Sequence, residues 1–589
     1  MGVLARVEGM HTLAVWAPAA SRLDVDVRLD DEWQTLQMHA SDDGWWRVEV
    51  EDAGPGCDYA FRVDGGDPTP DPRSPWQPGG VHGPSRVFDA AAHAPSAWPG
   101  LDARGAVFYE LHVGTFTPDG TLDAAAKRLG HLVELGVQMV SLMPVAAFPG
   151  RHGWGYDGVH LYAVHEPYGG PAALQRFVEA CHRRGLGVCL DVVYNHLGPS
   201  GNYLSRFGPY FTDRHHTPWG EAVNLDDEGS EQVRRWVVDN ALRWFRDFGI
   251  DALRLDAVHE LKDDSATHVL AQLSAETSAL AAELGRPLSL VAESDLNEPR
   301  MVEPVAEGGL GMTAQWSDDF HHALHALLTG ERGGYYCDFG SPGVLARTLT
   351  RVFRHDGCYS EFRGQDWGAP VDPRRHRGHA FLAYSANHDQ VGNRAVGDRP
   401  SGCLTDGQLA IAATLVLTGP FTPMVFMGEE WGASMPWQYF TCHDEPDLAA
   451  SVREGRRREF AAHGWDADQI PDPQEGSTRD ASVLDWAEAH SGGHGRLLAW
   501  HCELIALRRN HPGLADDDLS RVRVRHADDG AWFVVRRGDL RVAVSTSPRP
   551  QRVPLDTAVT GVLAAWDEVT PSGHVLSMPG HSAAVVSVR

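Results

Sequence analysis

The sequence lacks several features that would assign it to common functional classes. It has no apolar run long enough to cross a bilayer, no glycine-rich phosphate loop, and no C-x-x-C pair among its 8 cysteines. The N-terminus has no apolar secretory segment. A net charge of −29 disfavours nucleic acid and anionic membrane surfaces as partners. We therefore expect a cytoplasmic protein with reduced cysteines that binds neither nucleic acid nor membranes.

The chain of 589 residues is too long for a single hydrophobic core, and its pattern changes twice. Residues 1–97 and residues 513–589 alternate short apolar strands with turn residues, which predicts a β-sandwich domain at each end. Between them, residues 98–512 alternate strand-like runs with helical stretches. The predicted fold class is therefore α/β, a (β/α)8 TIM barrel with an N-terminal β-sandwich and a C-terminal β domain.

The boundaries of the predicted barrel elements follow from the apolar pattern. The strand-like runs are 107–111, 137–142, 187–193, 252–255, 288–292, 313–316, 380–384 and 423–427. The helical stretches are 122–134, 171–183, 231–248, 266–284, 344–353, 408–417 and 496–509. Long insertions are expected at 197–228, 355–378 and 430–490.

Three carboxylates follow three of these strand-like runs. Asp256, Glu293 and Asp389 come soon after the fourth, fifth and seventh runs. Catalytic groups of a (β/α)8 barrel gather at the carboxyl ends of different strands. Acids in that arrangement indicate cleavage of glycosidic bonds, in which one carboxylate attacks and another donates a proton.

Charged and imidazole side chains accompany the acids. Arg254 lies two residues before Asp256, so both point to the same side of the strand, and the guanidinium would stabilise a charged nucleophile. His196 and His388 also lie at strand ends and could donate hydrogen bonds to sugar hydroxyls. A structural Arg–Asp pair and structural histidines are the alternatives.

Aromatic residues near these positions could stack on sugar rings. They are Trp154, Tyr156, Trp316, Trp431, Trp437, Tyr439 and Phe440, of which several must be core residues. A metal site is not indicated. His321 and His325 have the i, i+4 spacing of a zinc face, but no H-E-x-x-H pattern is present. We expect neither a metal nor a cofactor.

Four segments in order, 191–196, 249–259, 291–294 and 387–390, resemble the short conserved regions of the α-amylase superfamily, glycoside hydrolase family 13. Val15–Pro18 also resembles the immunoglobulin-like module that precedes the barrel in glycogen-branching and debranching enzymes. The resemblance implies that Asp256 is the nucleophile, Glu293 the acid/base and Asp389 the stabiliser of the transition state. The substrate-binding residues that we assign are Tyr156, His196, Arg254, His259, Asp318, His388, Trp437 and Tyr439.

Further stretches resemble superfamily members that act on maltooligosyltrehalose. They are 314–325, 387–394, 427–430, 439–441, 455–460 and 470–474. This resemblance implies a retaining hydrolase that cuts the α-1,4 bond next to a terminal trehalose and releases trehalose and a maltooligosaccharide. It also implies a monomer that works beside a maltooligosyltrehalose synthase. A closed pocket for trehalose could include Trp437, Tyr439, Asp318, Asp319 and Glu430.

Two alternatives use the same fold. The first is a glycogen-branching-type α-glucanotransferase, against which Asn195 and Asn387 speak, because branching enzymes usually differ at both positions. The second is a non-catalytic glucan-binding protein, which the intact trio of acids disfavours. One departure from the family pattern is Ala386, where glutamine is common, so contacts to the substrate near that position stay open.

Overall fold

The structure is a computed structural model that describes residues 10–93, 97–461, 466 and 469–589. At its centre, eight parallel strands close into a barrel, labelled β1 to β8 in chain order. They are Phe108–Leu111, Met139–Leu142, Gly187–Val192, Ala252–Leu255, Ser289–Ala292, Ala314–Trp316, Phe381–Ala383 and Thr422–Phe426. Each strand pairs with the next, and β8 returns to β1. The predicted barrel is thus confirmed, with strand ends within two residues of the predicted ones.

The predicted helices surround the barrel in the expected order, and the structure adds Asp318–Thr329 and Pro446–Ala461, which were not predicted. The main ones are Leu122–Ala126, Leu129–Leu135, Gly170–His182, Ser230–Phe248, Val269–Leu284, Asp318–Thr329, Pro342–Arg351, Asp406–Leu417, Pro446–Ala461 and Gly492–Asn510. Shorter ones are Val113–Phe116, His388–Gly392, Gly476–Ala481 and Pro512–Ala515. Only 3₁₀ turns, Pro299–Met301 and Val305–Glu307, lie between β5 and β6 in this wholly described stretch.

The barrel strands are buried on both faces, which explains why they read as continuous apolar runs. Side chains from all eight strands fill the interior. They include Phe108, Met139, Cys189, Ala252, Val291, Ala314, Leu382 and Met424. The helix Ser230–Phe248 buries an apolar stripe that includes Val233, Trp236 and Trp244, and it ends at Gly249 in the left-handed conformation (φ 73°).

Each flanking region forms two antiparallel sheets. The N-terminal strands are Met10–Trp16, Leu23–Leu29, Glu32–Gln37, His39–Ala40, Trp45–Glu51, Asp58–Val63 and Ser85–Arg86. The C-terminal strands are Arg523–His526, Trp532–Arg537, Leu540–Ser545, Gln551–Pro554, Val559–Ala565, Thr570–Ser572, Val575–Met578 and Ser582–Val588. We propose that the domains divide after residues 97 and 512, as predicted. Arg73 ties the first region to the barrel by hydrogen bonds to Tyr162 and Asp239.

Short hairpins lie in the insertions between barrel strands. Their strands are Ala146–Ala147 with His160–Val164, Phe211–Thr217 with Gly220–Val223, and Cys358–Ser360 with Gln365–Trp367. All 8 cysteines are unpaired in the structure. Within the described ranges, no helix has the length and apolar character needed to cross a membrane.

Some local predictions were wrong. The stretch 122–134 is two helices, broken near Lys127, and the helix predicted from residue 266 begins at Val269. The later start reflects an unusual cap, because the Nδ1 atom of His268 accepts a hydrogen bond from the amide of Leu270 at 3.1 Å. The stretch 430–490, predicted as a loop, contains the helix Pro446–Ala461.

Candidate active site

The three predicted acids lie together at the carboxyl ends of the strands. Asp256 follows β4 and Glu293 follows β5, and both form ion pairs with the buried guanidinium of Arg254. The distances are 2.8 Å from Nη1 to Asp256 Oδ1 and 2.7 Å from Nη2 to Glu293 Oε2. Asp389 is connected to them through contacts: its Oδ2 lies 3.5 Å from His388 Nε2, which lies 2.7 Å from the Tyr156 hydroxyl, and Nη1 of Arg254 lies 3.4 Å from the same hydroxyl. The structure therefore brings all three acids together at the carboxyl ends of the strands.

The position of Asp389 is set by a helix cap. Asn387 precedes the short helix His388–Gly392, and its Oδ1 accepts hydrogen bonds from the amides of Asp389 and Gln390. The side chain of Gln390 accepts in return from the Asn387 amide at 3.0 Å, which completes a capping box. Asn387 thus acts by orienting the turn that carries the acid.

A single peptide joins the two acids that flank Arg254. Ala257 has a left-handed backbone (φ 33°), which is rare for a residue with a side chain. Its amide donates a hydrogen bond to Glu293 Oε2 at 2.8 Å. On the other side, Asn195 Nδ2 donates to Asp256 Oδ2 at 3.0 Å. Both carboxylates are therefore held by donors from neighbouring strand ends.

Asp191 is a site residue to which the sequence analysis gave no role. Its carboxylate accepts hydrogen bonds from Arg254 at 2.7 and 2.9 Å and from the hydroxyl of Tyr156 at 2.8 Å. Burial raises the pKa of Asp191 to about 7, with Asp256 adding to the rise and Arg254 opposing it. The sequence did contain a signal for this residue, because Asp191 is an acid inside the otherwise apolar third strand.

His388 is held between two acids. Its Nδ1 lies 2.8 Å from Glu110 Oε1, and its Nε2 lies 3.5 Å from Asp389 Oδ2. The ring of Tyr156 stacks on it, with 5.3 Å between centroids. Burial lowers the pKa of His388, but the charges of Glu110 and Asp389 outweigh it and raise the value to about 9. Glu110, inside β1, is a second residue that sequence reasoning missed.

The charged state of His388 predicts a pH dependence of stability. Its pKa rises from 6.5 unfolded to about 9 folded, so its contribution is complete below pH 6.5 and is lost as the pH rises through 9. Between pH 7.5 and 9, where Asp191 has largely titrated, the unfolding free energy should fall by about 2 kcal/mol. Urea unfolding of wild type and His388→Gln at several pH values measures this fall. An equal decrease of the unfolding free energy with pH in the two proteins would contradict the prediction.

Three further predicted residues lie around the acids. His196 Nε2 lies 3.0 Å from the carbonyl oxygen of Tyr156, and its Nδ1 lies 2.7 Å from Asn195 Oδ1; both oxygens are hydrogen-bond acceptors. His259 lies beside the segment after Glu293, where its Nδ1 accepts from the Asp295 amide at 3.4 Å. Asp318 accepts from Gln390 Nε2 at 3.1 Å and from Tyr384.

The carboxyl of Asp318 has an altered acidity. Burial raises its pKa to about 7, the hydrogen bond from Tyr384 opposes this, and the charges of Glu293, Asp295 and Asp389 add to the rise. Asp318 therefore lies among the acids Glu293, Asp295 and Asp389.

Trp437 is the clearest correction to the predicted binding set. Its side chain is fully buried, it stacks on Trp154 at 5.3 Å, and its Nε1 donates to the carbonyl of His388 at 3.0 Å. Trp437 therefore packs behind His388 as a buried support, and no face of its ring is accessible to a sugar. Tyr439 is only half-buried and packs edge-on against Trp154, so it stays a candidate contact.

Two acids predicted to line the trehalose pocket, Asp319 and Glu430, do not line it. Asp319 is buried and accepts hydrogen bonds from the amides of Arg354 and His355. Glu430 is buried beneath β8, where it meets Tyr109 and His131. Their carboxylates already have internal partners, so neither is placed to bind sugar.

The structure disfavours the metal sites considered. His321 and His325 stack on each other and bind Ser385 O and Glu331 respectively, so they do not form a shared zinc face. Elsewhere, His215, Asp226 and Asp264 have ligand-like spacing. Arg214 lies 3.8 and 3.6 Å from these two carboxylates and supplies the positive charge there, so we assign no metal.

An exposed tryptophan was missed by the sequence analysis. Trp219 lies at the tip of the hairpin of Phe211–Thr217 and Gly220–Val223. Its ring stacks on His196 at 4.2 Å, although half of its surface is exposed. No pattern in the sequence links a hairpin tip to a histidine after β3, so only the structure reveals this contact.

Comparisons with known proteins agree with the predicted fold. Residues 89–219 match the family model described as Alpha amylase, catalytic domain, and residues 1–77 match Carbohydrate-binding module 48 (Isoamylase N-terminal domain). A solved structure from Salmonella typhimurium is 36% identical and superposes with a TM-score of 0.90 over 100% of this chain and 99% of that one. The barrel and its acids define a glycoside hydrolase of the α-amylase class.

Curated relatives define the family more narrowly. Proteins named malto-oligosyltrehalose trehalohydrolase from Arthrobacter ramosus and Rhizobium sp. are 51% and 49% identical, over 98% of this chain and 99% and 98% of theirs. One from Saccharolobus solfataricus is 39% identical over 90% of each chain. The chain belongs to the malto-oligosyltrehalose trehalohydrolase family.

Proposed function

We propose that this protein is a retaining hydrolase of maltooligosyltrehalose that releases trehalose and a maltooligosaccharide. The proposal is carried by one observation, the pair Asp256 and Glu293 on either side of the Arg254 guanidinium. A shared cation keeps two carboxyls close, and retaining enzymes need a separation of roughly 5–5.5 Å. The names of the relatives support maltooligosyltrehalose as the substrate.

In the first step, Asp256 attacks the anomeric carbon of the glucose that precedes trehalose. The bond to the glycosidic oxygen breaks, and that oxygen takes the proton of Glu293 as trehalose leaves. Hydrogen bonds from Arg254 and Asn195 hold Asp256 charged and oriented for attack.

In the second step, the ionised Glu293 takes a proton from water, and the resulting hydroxide displaces Asp256 from the anomeric carbon. Both carboxyls return to their starting states. Asp389 and the charged His388 lie beside this path, where they are placed to hold hydroxyls of the distorted sugar. Tyr156, stacked on His388, closes one side of the same subsite.

The leaving trehalose is expected on the side of Glu293, because that residue protonates it. Asp318 feels the charge of Glu293 and accepts hydrogen bonds from Tyr384 and Gln390. We propose that Asp318 and His259 contact trehalose. The pathway partner, a maltooligosyltrehalose synthase, and the monomeric state and cytoplasmic location stay predictions.

Product analysis tests the function. Incubation with maltotriosyltrehalose should yield trehalose and maltotriose, and plain maltopentaose should react at least about tenfold more slowly, since it lacks the bent 1,1-linked end. Chromatography of both reactions provides the measurement. Formation of α-1,6 branches without free trehalose would instead support the branching transferase, and absence of any reaction would support a binding protein.

A further inference from the structure

Glu110 is a buried acid to which the proposed mechanism gives no part. It lies inside β1 with 2% of its surface exposed, and both of its carboxylate oxygens bind the same residue. Oε1 lies 2.8 Å from the ring Nδ1 of His388, and Oε2 accepts a hydrogen bond from the His388 backbone amide at 3.0 Å. A carboxylate that binds one partner twice fixes both the backbone position and the ring orientation of that partner.

The other ring nitrogen of His388 extends this contact into the centre of the site. Nε2 lies 2.7 Å from the hydroxyl of Tyr156, and that hydroxyl donates to Asp191 Oδ2 at 2.8 Å. Asp191 in turn accepts from Arg254, whose guanidinium also binds the two acids that we assign to the reaction. A continuous line of hydrogen bonds therefore runs from Glu110 in β1 to Arg254 in β4.

The protons available in this line assign the charge of His388. Carboxylates only accept hydrogen bonds, so the Nδ1 that faces Glu110 must carry a proton. The single hydroxyl proton of Tyr156 points to Asp191, whose charged form Arg254 favours. Nε2 must then supply the hydrogen between the ring and the hydroxyl. Both nitrogens are therefore protonated, and the ring is a cation.

The groups packed against His388 agree with this assignment. On its own turn, Asp389 Oδ2 lies 3.5 Å from Nε2. Arg254 opposes the cation, and His112, just after β1, is neutral because burial lowers its pKa to about 3. Burial lowers the pKa of His388, and Glu110 is the first of the charges that raise it to about 9. The aromatic rings beside it are Trp154, Tyr156 and Trp316.

We infer that Glu110 is a positioning residue of the proposed reaction, which holds His388 as a fixed cation beside Asp389 and Tyr156. This inference rests on the proposed function and extends the site to a carboxylate whose two oxygens are already occupied. Without the charge of Glu110, Nε2 loses its proton at a lower pH and becomes an acceptor. It then repels Asp389 and no longer donates to Tyr156. Asp389 takes up a proton more readily, and its charge no longer stabilises the transition state.

NMR of protein labelled with ¹⁵N-histidine measures the ring without any substrate. The two ring signals of His388 are assigned by their absence from His388→Gln. In wild type, both nitrogens should be protonated at pH 7 and should titrate near pH 9. In Glu110→Gln the midpoint should fall by about one to two pH units, because an opposite charge in contact with the ring is gone. A neutral His388 in wild type at pH 7 would overturn the inference, whether or not Glu110→Gln folds.

Two further variants separate charge from packing. Glu110→Asp keeps the negative charge, so its His388 should titrate at a higher pH than in Glu110→Gln. Equal midpoints in these two variants would show that Glu110 only packs against the ring, which contradicts the inference. The matched control is Glu303→Gln, which removes the pair with His376 (3.2 Å) ahead of β7, at the start of that strand and not at its carboxyl end. It should leave His388 at the wild-type midpoint.

The consequence for catalysis is measured with α-maltosyl fluoride, whose leaving group needs no proton from Glu293. The pH profile of kcat/KM then reports the first step without the titration of that acid. We expect Glu110→Gln to lose activity at a pH about one to two units below the wild-type value, in step with His388. A shifted His388 midpoint with an unchanged pH profile would show that the cation has no part in catalysis and would overturn the inference.

The two kinds of measurement distinguish this inference from the proposed function. Failure of wild type to release trehalose from maltotriosyltrehalose contradicts the proposed reaction alone, because the NMR midpoints are obtained without substrate. Release of trehalose by wild type, together with equal midpoints in wild type and Glu110→Gln, contradicts the role of Glu110 alone.

Discussion

Asp256→Asn should lower kcat on maltotriosyltrehalose by about 10⁴-fold or more, while the protein stays folded. An amide of the same size keeps one acceptor oxygen, so it can accept from Arg254 or from Asn195 but not from both, and it is a very weak nucleophile. The covalent intermediate then cannot form. Steady-state kinetics by trehalose release measure the effect, with thermal unfolding as a check on folding.

An activated substrate distinguishes the nucleophile from the acid. An α-maltosyl fluoride needs no proton for its leaving group, so Glu293→Gln should react with it in a first step, whereas Asp256→Asn should stay inactive. Asp366→Asn, an exposed aspartate of the hairpin Cys358–Ser360 and Gln365–Trp367, serves as the matched control. Substantial turnover of either substrate by Asp256→Asn would remove it from the mechanism.

Arg254→Met should both unfold the protein more easily and abolish most activity. The guanidinium is fully buried and contacts Asp191, Asp256 and Glu293 within 2.9 Å. Its removal leaves three carboxylates close together without a counterion, which typically costs about 3–5 kcal/mol. We also expect kcat to fall by at least about 10³-fold, because the nucleophile then takes up a proton.

Urea unfolding at pH 7 provides the measurement. The matched control is Arg235→Met, whose half-exposed ion pairs with Asp239 and Glu276 should cost no more than about 1 kcal/mol. Asp191→Asn in the Arg254→Met background should recover part of the stability and little of the activity. If Arg254→Met lowers the unfolding free energy no more than Arg235→Met does, Arg254 does not serve as the counterion of the three acids.

The barrel could be predicted because its physical signal is local. Strands buried on both faces, such as Ala252–Leu255, are continuous apolar runs, and an acid directly after such a run lies at the rim by necessity. The helix starts were less predictable, since caps such as His268 are unusual. The break near Lys127 has no clear signal in the apolar pattern.

The support of the site depends on contacts between distant parts of the chain. Glu110 meets His388 across 278 residues, and Trp437 lies beneath the same histidine. An acid inside a strand and a tryptophan in a loop have the same appearance in sequence whether they are buried supports or surface groups. Composition near a motif therefore overestimated the sugar-binding set at Trp437 and gave no sign that Trp219 contacts His196.

The peptide of Ala257 has a consequence for protein engineering. Its amide donates a hydrogen bond to Glu293, and it directly follows Asp256, so its left-handed backbone sets the spacing between the two carboxylates that we propose as acid/base and nucleophile. A β-branched residue there would resist this conformation and alter the spacing. Attempts to turn the enzyme into a synthetic transglycosylase would do best to leave residue 257 intact and to reshape the entry route of water instead.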